Sequence, residues 1–424
     1  MRLGHASSLY PVTDILARDL DAADPLARFR DRFVIEDELI YLDGNSLGRL
    51  PLSTRERLHR AIGEWGTDLI RGWDRWITLS REVGDVLATG VLDATPGEVV
   101  LSDSTSVNLY KLAAAACAAR PGRRVIVTDD DNFPTDRYIL QGLVEARGME
   151  LRVLKTDIDL GVSAEAVREA LDPDVALVSL SHVAYRSGAV ADLPAITAAA
   201  HQAGALALWD LSHSAGAVRV PLRSAGADLA VGCTYKHLNG GPGAPAFLYV
   251  RADLQAELRQ PIWGWFGQRD QFDMGVEYDP VESIDRFQVG TPPVLGAYAA
   301  LEGARLTAEA GIDAVAAKGA ALGAYAIELC DTWLAPYGVV VASPRADARR
   351  GAHVTLRHPR AWQLSQALRA AGVIPDFRTP DRLRLGFGAL YTRFVDVYAG
   401  LARLRDILTA DSHLAFPERH ARVT

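Results

Sequence analysis

The segment 175–233 decides the fold class. It contains three apolar runs, VALVSLS (175–181), ALALW (205–209) and DLAVGC (228–233), with a helical pattern at 191–203 between the first two. These runs are continuously apolar rather than alternating, which is typical of strands that are covered on both faces. Strands separated by helical patterns indicate βαβ units, and therefore a mostly parallel sheet.

The same alternation continues on both sides of this segment. Further strand candidates lie at 98–102, 123–128, 149–154 and 246–250, and further helical patterns at 106–120 and 163–171. After a long helical pattern that starts near residue 294, there are strand candidates at 338–342, 352–356 and 383–387 and helical patterns at 360–371 and 393–409. The first seven strand candidates predict one large sheet, and the later ones predict a smaller unit.

These patterns predict an α/β fold with two parts. A large domain has a mostly parallel seven-stranded sheet flanked by helices, and a smaller α/β domain follows it. The predicted divisions are an N-terminal segment at 1–45 that packs with the small domain, a large domain at 46–300 and a small domain at 301–424.

The composition argues against several classes of protein. Of the 424 residues, 49% are hydrophobic and 23% are charged, and the net charge of −8 argues against a nucleic-acid-binding surface. Cys117, Cys233 and Cys330 lie far apart, so neither a disulfide framework nor a zinc site is predicted. The longest Ala-rich run, at 112–119, is too short for a membrane span, and the N-terminus does not resemble a signal peptide. We expect a cytoplasmic protein with no metal, nucleic-acid or membrane partner.

Polar and small residues follow several of the predicted strands, at the point where each strand ends. In open α/β sheets the ligand crevice lies at the carboxyl ends of the strands, so these segments predict a binding site. There is no GxGxxG after a strand, no GxxxxGK[ST] and no HExxH, which argues against dinucleotide, P-loop and zincin sites. The polar segments are 102–106, 128–136, 181–182, 210–214 and 234–239.

Asp210 and Lys236 each lie just past a buried strand candidate. Taken singly, Asp210 is as readily a helix cap or a satisfied core carboxylate, and Lys236 a solvated loop residue. Together they match pyridoxal phosphate, which needs a lysine amine to form an imine with its aldehyde and a carboxylate to keep its ring nitrogen protonated. The protonated ring is what makes this cofactor an electron sink.

The same cofactor needs a phosphate site and a surface on which its ring can stack. Residues 104–108 (STSVN) join a strand candidate to a helix, and their hydroxyl and backbone N–H groups suit a phosphate dianion. An ordinary helix N-cap explains any one of these residues equally well. Phe133, in NFPTD (132–136), could stack on a pyridine ring, although an isolated Phe is more often simply packed.

Several segments of the chain closely resemble kynureninase, a pyridoxal-phosphate enzyme of the aspartate-aminotransferase-like fold. They run in collinear order from about residue 41 to residue 394. The segments are YLDGNSLG (41–48), DSTSVNLYK (103–111), NFPTD (132–136), WDLSHSAGA (209–217), CTYKHLNGGPG (233–243), GWFG (264–267), GTPP (290–293) and RLGFGALYTRF (384–394).

The resemblance implies a role for individual residues of this chain. Lys236 is implied to be the Schiff-base lysine and Asp210 the partner of the ring nitrogen. Phe133 is implied to stack on the ring, with Asp136, Ser181 and His213 around the cofactor. The implied phosphate-binding residues are Thr105, Ser106, Tyr235, Trp265 and Thr291. Family members are homodimers with sites at the subunit boundary, which implies that the partner chain supplies Thr291.

The activity implied is hydrolysis of the Cβ–Cγ bond of L-kynurenine to anthranilate and L-alanine, in tryptophan degradation. 3-Hydroxykynurenine would be a second, poorer substrate. Lys236 would take the Cα proton, and Tyr235 is our candidate for a further acid or base. We expect Arg384 to hold the substrate's α-carboxylate, because its planar fork donates two parallel hydrogen bonds. The alternative for Arg384 is a surface ion pair with Asp381 or another acid.

Two other functions compete with this interpretation. A cysteine desulfurase or another β-lyase could share the fold, but such an enzyme uses a mobile catalytic cysteine. Cys330 lies inside a helical pattern and Cys233 at a strand end, so neither looks like a flexible-loop nucleophile. The second competitor is a non-catalytic module that binds pyridoxal phosphate, which the retention of Lys236, Asp210 and Arg384 disfavours.

Overall fold

The computed structural model of the chain describes residues 14–36 and 38–418. The strands are, in chain order, β1 (Ile40–Tyr41), β2 (Val99–Leu101), β3 (Val125–Asp129), β4 (Glu150–Leu154), β5 (Val175–Ser181), β6 (Leu206–Asp210), β7 (Leu229–Gly232), β8 (Phe247–Val250), β9 (Val340–Val341), β10 (His353–Arg357), β11 (Val373–Ile374), β12 (Asp376–Arg378) and β13 (Arg382–Gly386). Parts of the predicted N-terminal segment (1–13 and residue 37) and the end of the predicted small domain (419–424) lie outside the described residues.

Thirteen α-helices lie between or beside these strands in the described part of the chain. In chain order they are α1 (Asp14–Ala22), α2 (Leu52–Asp68), α3 (Trp73–Trp76), α4 (Leu79–Gly90), α5 (Thr105–Ala118), α6 (Pro134–Arg147), α7 (Ala164–Glu169), α8 (Leu193–Gln202), α9 (Ala252–Gln255), α10 (Val294–Ala310), α11 (Ile312–Trp333), α12 (Ala361–Ala370) and α13 (Phe394–Thr409). Within the described ranges, no helix is both long and apolar enough to cross a membrane.

The large sheet has the strand order β2-β8-β7-β6-β5-β3-β4. Neighbours from β7 to β4 run parallel, whereas β8 is antiparallel to both β7 and β2. The mostly parallel seven-stranded sheet predicted from the sequence is thus confirmed.

The continuously apolar strands are explained by packing on both faces of this sheet. Val125 and Val127 of β3 belong to one buried cluster, and Ile126 between them belongs to another. The same alternation occurs in β6, where Ala207 and Leu208 lie on opposite faces. Side chains alternate between the faces of a strand, so two covered faces need an unbroken apolar run.

The C-terminal part contains a four-stranded antiparallel sheet in the order β12-β13-β10-β9 and a short parallel pair of β1 with β11. Helix α1 packs against α13, so described residues of the N-terminal segment contact this part of the chain. Helix α10 packs against α2 and α4, whereas α11 packs against α13 and β10. The boundary predicted at residue 300 falls inside α10, and the packing partners change at Gly311, where α10 ends.

Candidate active site

The site lies at the carboxyl edge of the large sheet, where parallel strands bring their following residues together. Strands β5 and β6 end at Ser181 and Asp210, which are paired in register. The Ser181 hydroxyl donates to Oδ1 of Asn132, which follows β3, at 2.7 Å. The predicted polar segments after β3, β5 and β6 therefore lie side by side.

Two buried carboxyl groups, Asp210 and Asp136, interact at this edge. Oδ1 of Asp210 accepts from the backbone N–H and the hydroxyl of Ser212, at 2.8 and 2.6 Å. Burial, and next the charge of Asp210, raise the pKa of Asp136 well above its usual range. Oδ2 of Asp136 is buried and has no hydrogen-bond partner among the described residues. An N–H group placed against these carboxyl groups would therefore be well accommodated.

Lys236 is the lysine that faces this crevice. The chain has four lysines, Lys111, Lys155, Lys236 and Lys318. Lys111 and Lys318 are buried in ion pairs, and the Lys155 side chain is 92% exposed on the surface. Nζ of Lys236 lies 3.0 Å from Nε2 of His213. By position, Lys236 is the amine available to an aldehyde bound at the sheet edge.

His213 is the buried imidazole next to that amine. Its ring is buried, and burial, followed by the charge of Lys236, lowers its pKa well below the usual range. Its Nδ1 atom is buried and lacks a hydrogen-bond partner in the described part of the chain. A neutral imidazole can accept a hydrogen bond from Lys236 at Nε2 or donate one there, depending on its tautomer.

Phe133 and Tyr235 present their rings to the same amine. Nζ of Lys236 lies 5.9 Å from the ring centroid of each. Phe133 is 38% exposed, and its other contact is an edge-on packing against Tyr185, with ring centroids 5.3 Å apart. One face of Phe133 is therefore accessible to a planar ligand. Burial raises the pKa of the Tyr235 hydroxyl, so this group stays protonated at neutral pH.

The predicted phosphate residues Thr105 and Ser106 begin helix α5, where Ser104 is the N-cap and accepts from the Val107 N–H at 3.3 Å.

Thr291 is exposed and lines, together with Ser104, a pocket of about 300 Å³. Trp265 is 40% exposed and packs against Phe266 and Phe272. In the described part of the chain, no hydrogen bond or ring contact joins Trp265 or Thr291 to the Lys236 cluster.

The alternative for Arg384, a surface ion pair with Asp381 or another acid, is half right: Arg384 does pair with another acid, Asp376, but the pair is buried and Asp381 is not the partner. Arg384 is 1% exposed, and its Nε donates to Oδ2 of Asp376 at 2.6 Å. Asp381 pairs with Arg382 instead. The reason is strand register: Asp376 of β12 lies directly opposite Arg384 of β13, so the two side chains share a face of the small sheet.

Other groups around Arg384 were not identified from the sequence. Its Nη1 donates to the Tyr185 carbonyl and its Nη2 to the Ser46 hydroxyl, the latter at 3.1 Å. Ser46 lies in GNSLG (44–48), which has the spacing GxSxG of a nucleophile elbow, but its hydroxyl contacts the arginine rather than a histidine. Contacts across 338 and 199 residues of chain leave no local sequence signal.

The glycine in YLDGNSLG that is closest to the site has a steric role. The Gly48 N–H donates to the Tyr235 carbonyl at 2.9 Å. A Cβ on Gly48 would overlap the carbonyl oxygen of Lys236 and the side chain of Asn239. This segment therefore approaches the backbone of the lysine loop more closely than any side chain permits.

The residues present fit pyridoxal phosphate. Lys236 supplies the amine, the unpartnered Asp136 oxygen and Asp210 suit a protonated ring nitrogen, and Phe133 offers a ring face. The first turn of α5 offers hydroxyl and free N–H groups to a phosphate.

Solved structures with the same fold include two cysteine desulfurases. One, from Thermococcus onnurineus NA1, has a TM-score of 0.78 at 18% identity and covers 91% of this chain and 98% of its own. Another, CsdA from Escherichia coli, has a TM-score of 0.75 at 17% identity and covers 92% of this chain and 98% of its own. The chain therefore has the aminotransferase-like α/β fold of pyridoxal-phosphate enzymes, and identities this low show the fold alone.

Sequence relatives give a more specific assignment. The chain is 44% identical over 402 residues to a kynureninase of Burkholderia pseudomallei (strain K96243), covering 93% of this chain and 95% of the relative. It is 43% identical over 398 residues to a kynureninase of Pseudomonas fluorescens, covering 92% and 94%. The model of the kynureninase C-terminal domain matches residues 315–404. The chain belongs to the kynureninase family.

Proposed function

We propose that this chain is a pyridoxal-phosphate-dependent hydrolase that cleaves the Cβ–Cγ bond of L-kynurenine to give anthranilate and L-alanine. The observation that carries the proposal is the placement of Lys236 beside His213, Phe133 and the Asp136–Asp210 pair in a chain of the kynureninase family. A cysteine desulfurase with the same cofactor-binding residues would also need a reactive cysteine thiol.

The cysteines argue against that alternative. Cys117, Cys233 and Cys330 are all buried and unpaired. Burial raises the pKa of Cys117 to about 11 and also raises the pKa of Cys233 and of Cys330. A nucleophilic cysteine needs a lowered pKa and access to substrate, and these thiols have neither.

The residues of the site divide the work of the reaction. When bound, the cofactor supplies an aldehyde for an amine and a protonated ring that withdraws electrons from the substrate. Lys236 holds the cofactor, then takes the Cα proton of the substrate and returns protons along the reaction. Asp210 and Asp136 hold the proton on the ring nitrogen. Arg384 is bonded to Asp376, Tyr185 and Ser46, so it binds the α-carboxylate by exchanging one of these contacts, of which the Ser46 hydroxyl at 3.1 Å is the longest. It thereby orients the Cα–H bond toward Lys236.

Tyr235 is our candidate for a second proton donor. Burial raises its pKa, so the hydroxyl carries its proton at neutral pH and can give it to a developing negative charge. It lies next to Lys236 in the chain and faces the same amine. Water that adds to the γ-carbonyl supplies one of the two carboxylate oxygens of anthranilate, and the released Cβ carbon takes a proton to become the methyl group of alanine.

We also propose that the chain acts as a homodimer in the cytoplasm, with Thr291 completing the site of the partner. An apolar groove of about 390 Å³ supports the dimer, since exposed apolar surface of this kind marks an interaction site. The free cysteines are compatible with a reducing compartment. The groove is lined by Ala61, Trp65, Trp73, Trp76, Pro293, Val294, Leu295 and Gly296.

We place the domain division at Gly311 rather than at residue 300. The packing partners change there, and the match to the kynureninase C-terminal domain begins shortly afterwards, at residue 315. The segment up to residue 45 belongs with the small domain, which the contact of α1 with α13 supports.

A steady-state assay of anthranilate release tests the proposed function. The purified protein, incubated with pyridoxal phosphate, should be yellow and should release anthranilate from L-kynurenine. L-Cysteine in the same assay should yield no sulfide. A protein that stays colourless and turns over neither substrate would refute both enzymatic interpretations.

We expect L-kynurenine to be preferred over 3-hydroxykynurenine. Gly290 and Thr291 place a small residue and a short hydroxyl in the segment assigned to the partner's site. The measurement is kcat/KM for each substrate under identical conditions. Equal or inverted values would show that other residues set the preference.

Replacing Arg384 by lysine should weaken substrate binding without disturbing the cofactor. The charge is kept, but the planar fork that fixes carboxylate orientation is lost. We expect KM for kynurenine to rise on the order of tenfold or more, with a lower kcat from misorientation. The absorbance of the bound cofactor should not change. A variant with near-normal kcat/KM would remove Arg384 from the substrate site.

A further inference from the structure

Lys111 of helix α5 has an unusual position for a lysine, because its side chain is completely buried. Its Nζ donates to the Ser102 hydroxyl at 2.9 Å, to Oδ2 of Asp103 at 2.7 Å and to the Phe287 carbonyl at 2.6 Å. These three bonds use all three protons of the ammonium group. Lys111 therefore joins three contact points, of which two, Ser102 and Asp103, are neighbours in sequence, whereas the third, Phe287, is 176 residues away from Lys111.

Two of these contact points, Ser102 and Asp103, form the turn that leads into α5. Asp103 has φ of +45°, a left-handed conformation that is costly for a residue with a side chain and has to be held by its surroundings. The Ser102 hydroxyl donates to Asp103 at 2.7 Å, so Lys111 binds a pair that is already joined. Asn108 donates to the Ser102 carbonyl at 2.6 Å from the same side of α5. The helix thus holds the turn that sets the position of Ser104 and of the first helical residues.

The third contact point, the Phe287 carbonyl, directly precedes the segment that carries Thr291. Phe287 ends a short 3₁₀ turn (Ile284–Phe287), and the next six residues, 288–293, line the 300 Å³ pocket. Residues 101–104, which lead into α5, line the same pocket. One buried ammonium group accordingly joins the turn before α5 to the residue that precedes the segment with Thr291.

We infer that Lys111 is a positioning residue for the cofactor's phosphate: it holds the 102–104 turn and the 288–293 segment in fixed relation, so that the first turn of α5 is preorganised for the dianion. The inference rests on the proposed function, since it requires pyridoxal phosphate in this crevice. Preorganised donors bind an anion more tightly than donors that must first be ordered. Lys111 should therefore matter for the phosphate and not for the aldehyde or the ring.

Pyridoxal, which lacks the phosphate, separates these contributions. In the wild-type full-length chain stripped of cofactor, we expect pyridoxal phosphate to bind more tightly than pyridoxal when each is titrated by absorbance. In Lys111→Met, the Kd of pyridoxal phosphate should rise on the order of tenfold or more, while the Kd of pyridoxal changes less than about threefold. The ratio of the two constants is the readout, and a general loss of stability would not move it.

Lys318→Met is a matched control. Lys318 is also a buried lysine, with Nζ 2.6 Å from Asp24, and it lies in α11 away from the crevice. This variant should lose thermal stability but keep the wild-type ratio. Asp103→Asn, at a half-exposed carboxylate, is a milder second variant for the case that Lys111→Met does not fold, and it should change the ratio in the same direction.

The outcomes separate the two proposals. A folded Lys111→Met or Asp103→Asn protein with the wild-type ratio would overturn the positioning role and leave Lys111 as a structural residue only. A shift of the same size in Lys318→Met would overturn it too. Wild-type protein that binds neither pyridoxal phosphate nor pyridoxal would instead overturn the proposed function itself.

Discussion

Lys236→Ala is expected to lower kynurenine turnover by on the order of 10³-fold or more, because we propose that this one side chain supplies both the attachment of the cofactor and the Cα proton transfer. The fold should be kept, since Lys236 is only half-buried and, among the described residues, its one side-chain hydrogen bond is with His213. Anthranilate release in the steady state measures the loss, and far-ultraviolet circular dichroism checks the fold.

The low lysine content of the chain allows a direct control. Borohydride reduces an imine between cofactor and lysine to a stable amine, and peptide mapping then has only four lysines to distinguish. The label should appear on the peptide with Lys236 and disappear in the alanine variant. Lys155→Ala, at the exposed lysine that pairs with Asp130, should keep both label and activity. Appreciable activity of Lys236→Ala without an added amine would show that another group holds the cofactor.

The large sheet could be predicted from the sequence because its signal is local. Apolar runs such as 175–181 and 205–209 need two covered faces wherever they occur, and the observed strands β5 and β6 differ from them by one residue or less at each end. The domain boundary that we propose at Gly311 has no such local signal, because the sequences of α10 and α11 both predict apolar helices. The two helices differ in the elements that they pack against, and those contacts exist only in the tertiary structure.

The site could be predicted in part for the same reason. Asp210 and Lys236 follow buried strands, so topology alone brings them to one edge of the sheet. The partners of Arg384 could not be found in this way. The pairing with Asp376 depends on the register of β12 against β13, and the contacts with Ser46 and Tyr185 join segments that are distant in sequence. The positioning role that we infer for Lys111 could not be predicted from the sequence either, because its contact with Phe287 spans 176 residues.

The Asp136–Asp210 pair adds something that neither residue indicates alone. Burial, and next the charge of Asp210, raise the pKa of Asp136, so two negative charges are costly at this place. A positively charged ring nitrogen held against the pair would offset that cost, and Oδ2 of Asp136, which has no hydrogen-bond partner among the described residues, is an acceptor for its N–H group. The pair can thus hold a proton on the ring nitrogen.

Asp210→Asn should keep cofactor binding and lose most catalysis. An amide cannot stabilise the positive charge of a protonated ring nitrogen, so the ring loses its capacity to withdraw electrons from Cα. We expect kcat to fall on the order of 10²-fold or more, by analogy with other losses of electrostatic stabilisation in a buried site. The backbone fold should be unaffected, because asparagine can still accept from the Ser212 N–H and hydroxyl.

Asp136→Asn is the matched comparison, since it makes the same chemical change at the neighbouring carboxyl group. Burial and the charge of Asp210 raise the pKa of Asp136, so this carboxyl group holds a negative charge less readily than usual, and we expect its replacement by an amide to lower kcat by less than about tenfold. The order of the two losses is the measured quantity, with cofactor occupancy checked by absorbance in each variant. A wild-type kcat in Asp210→Asn would make Asp210 a structural cap of the Ser212 turn. A larger loss in Asp136→Asn would transfer the ring-nitrogen role to Asp136.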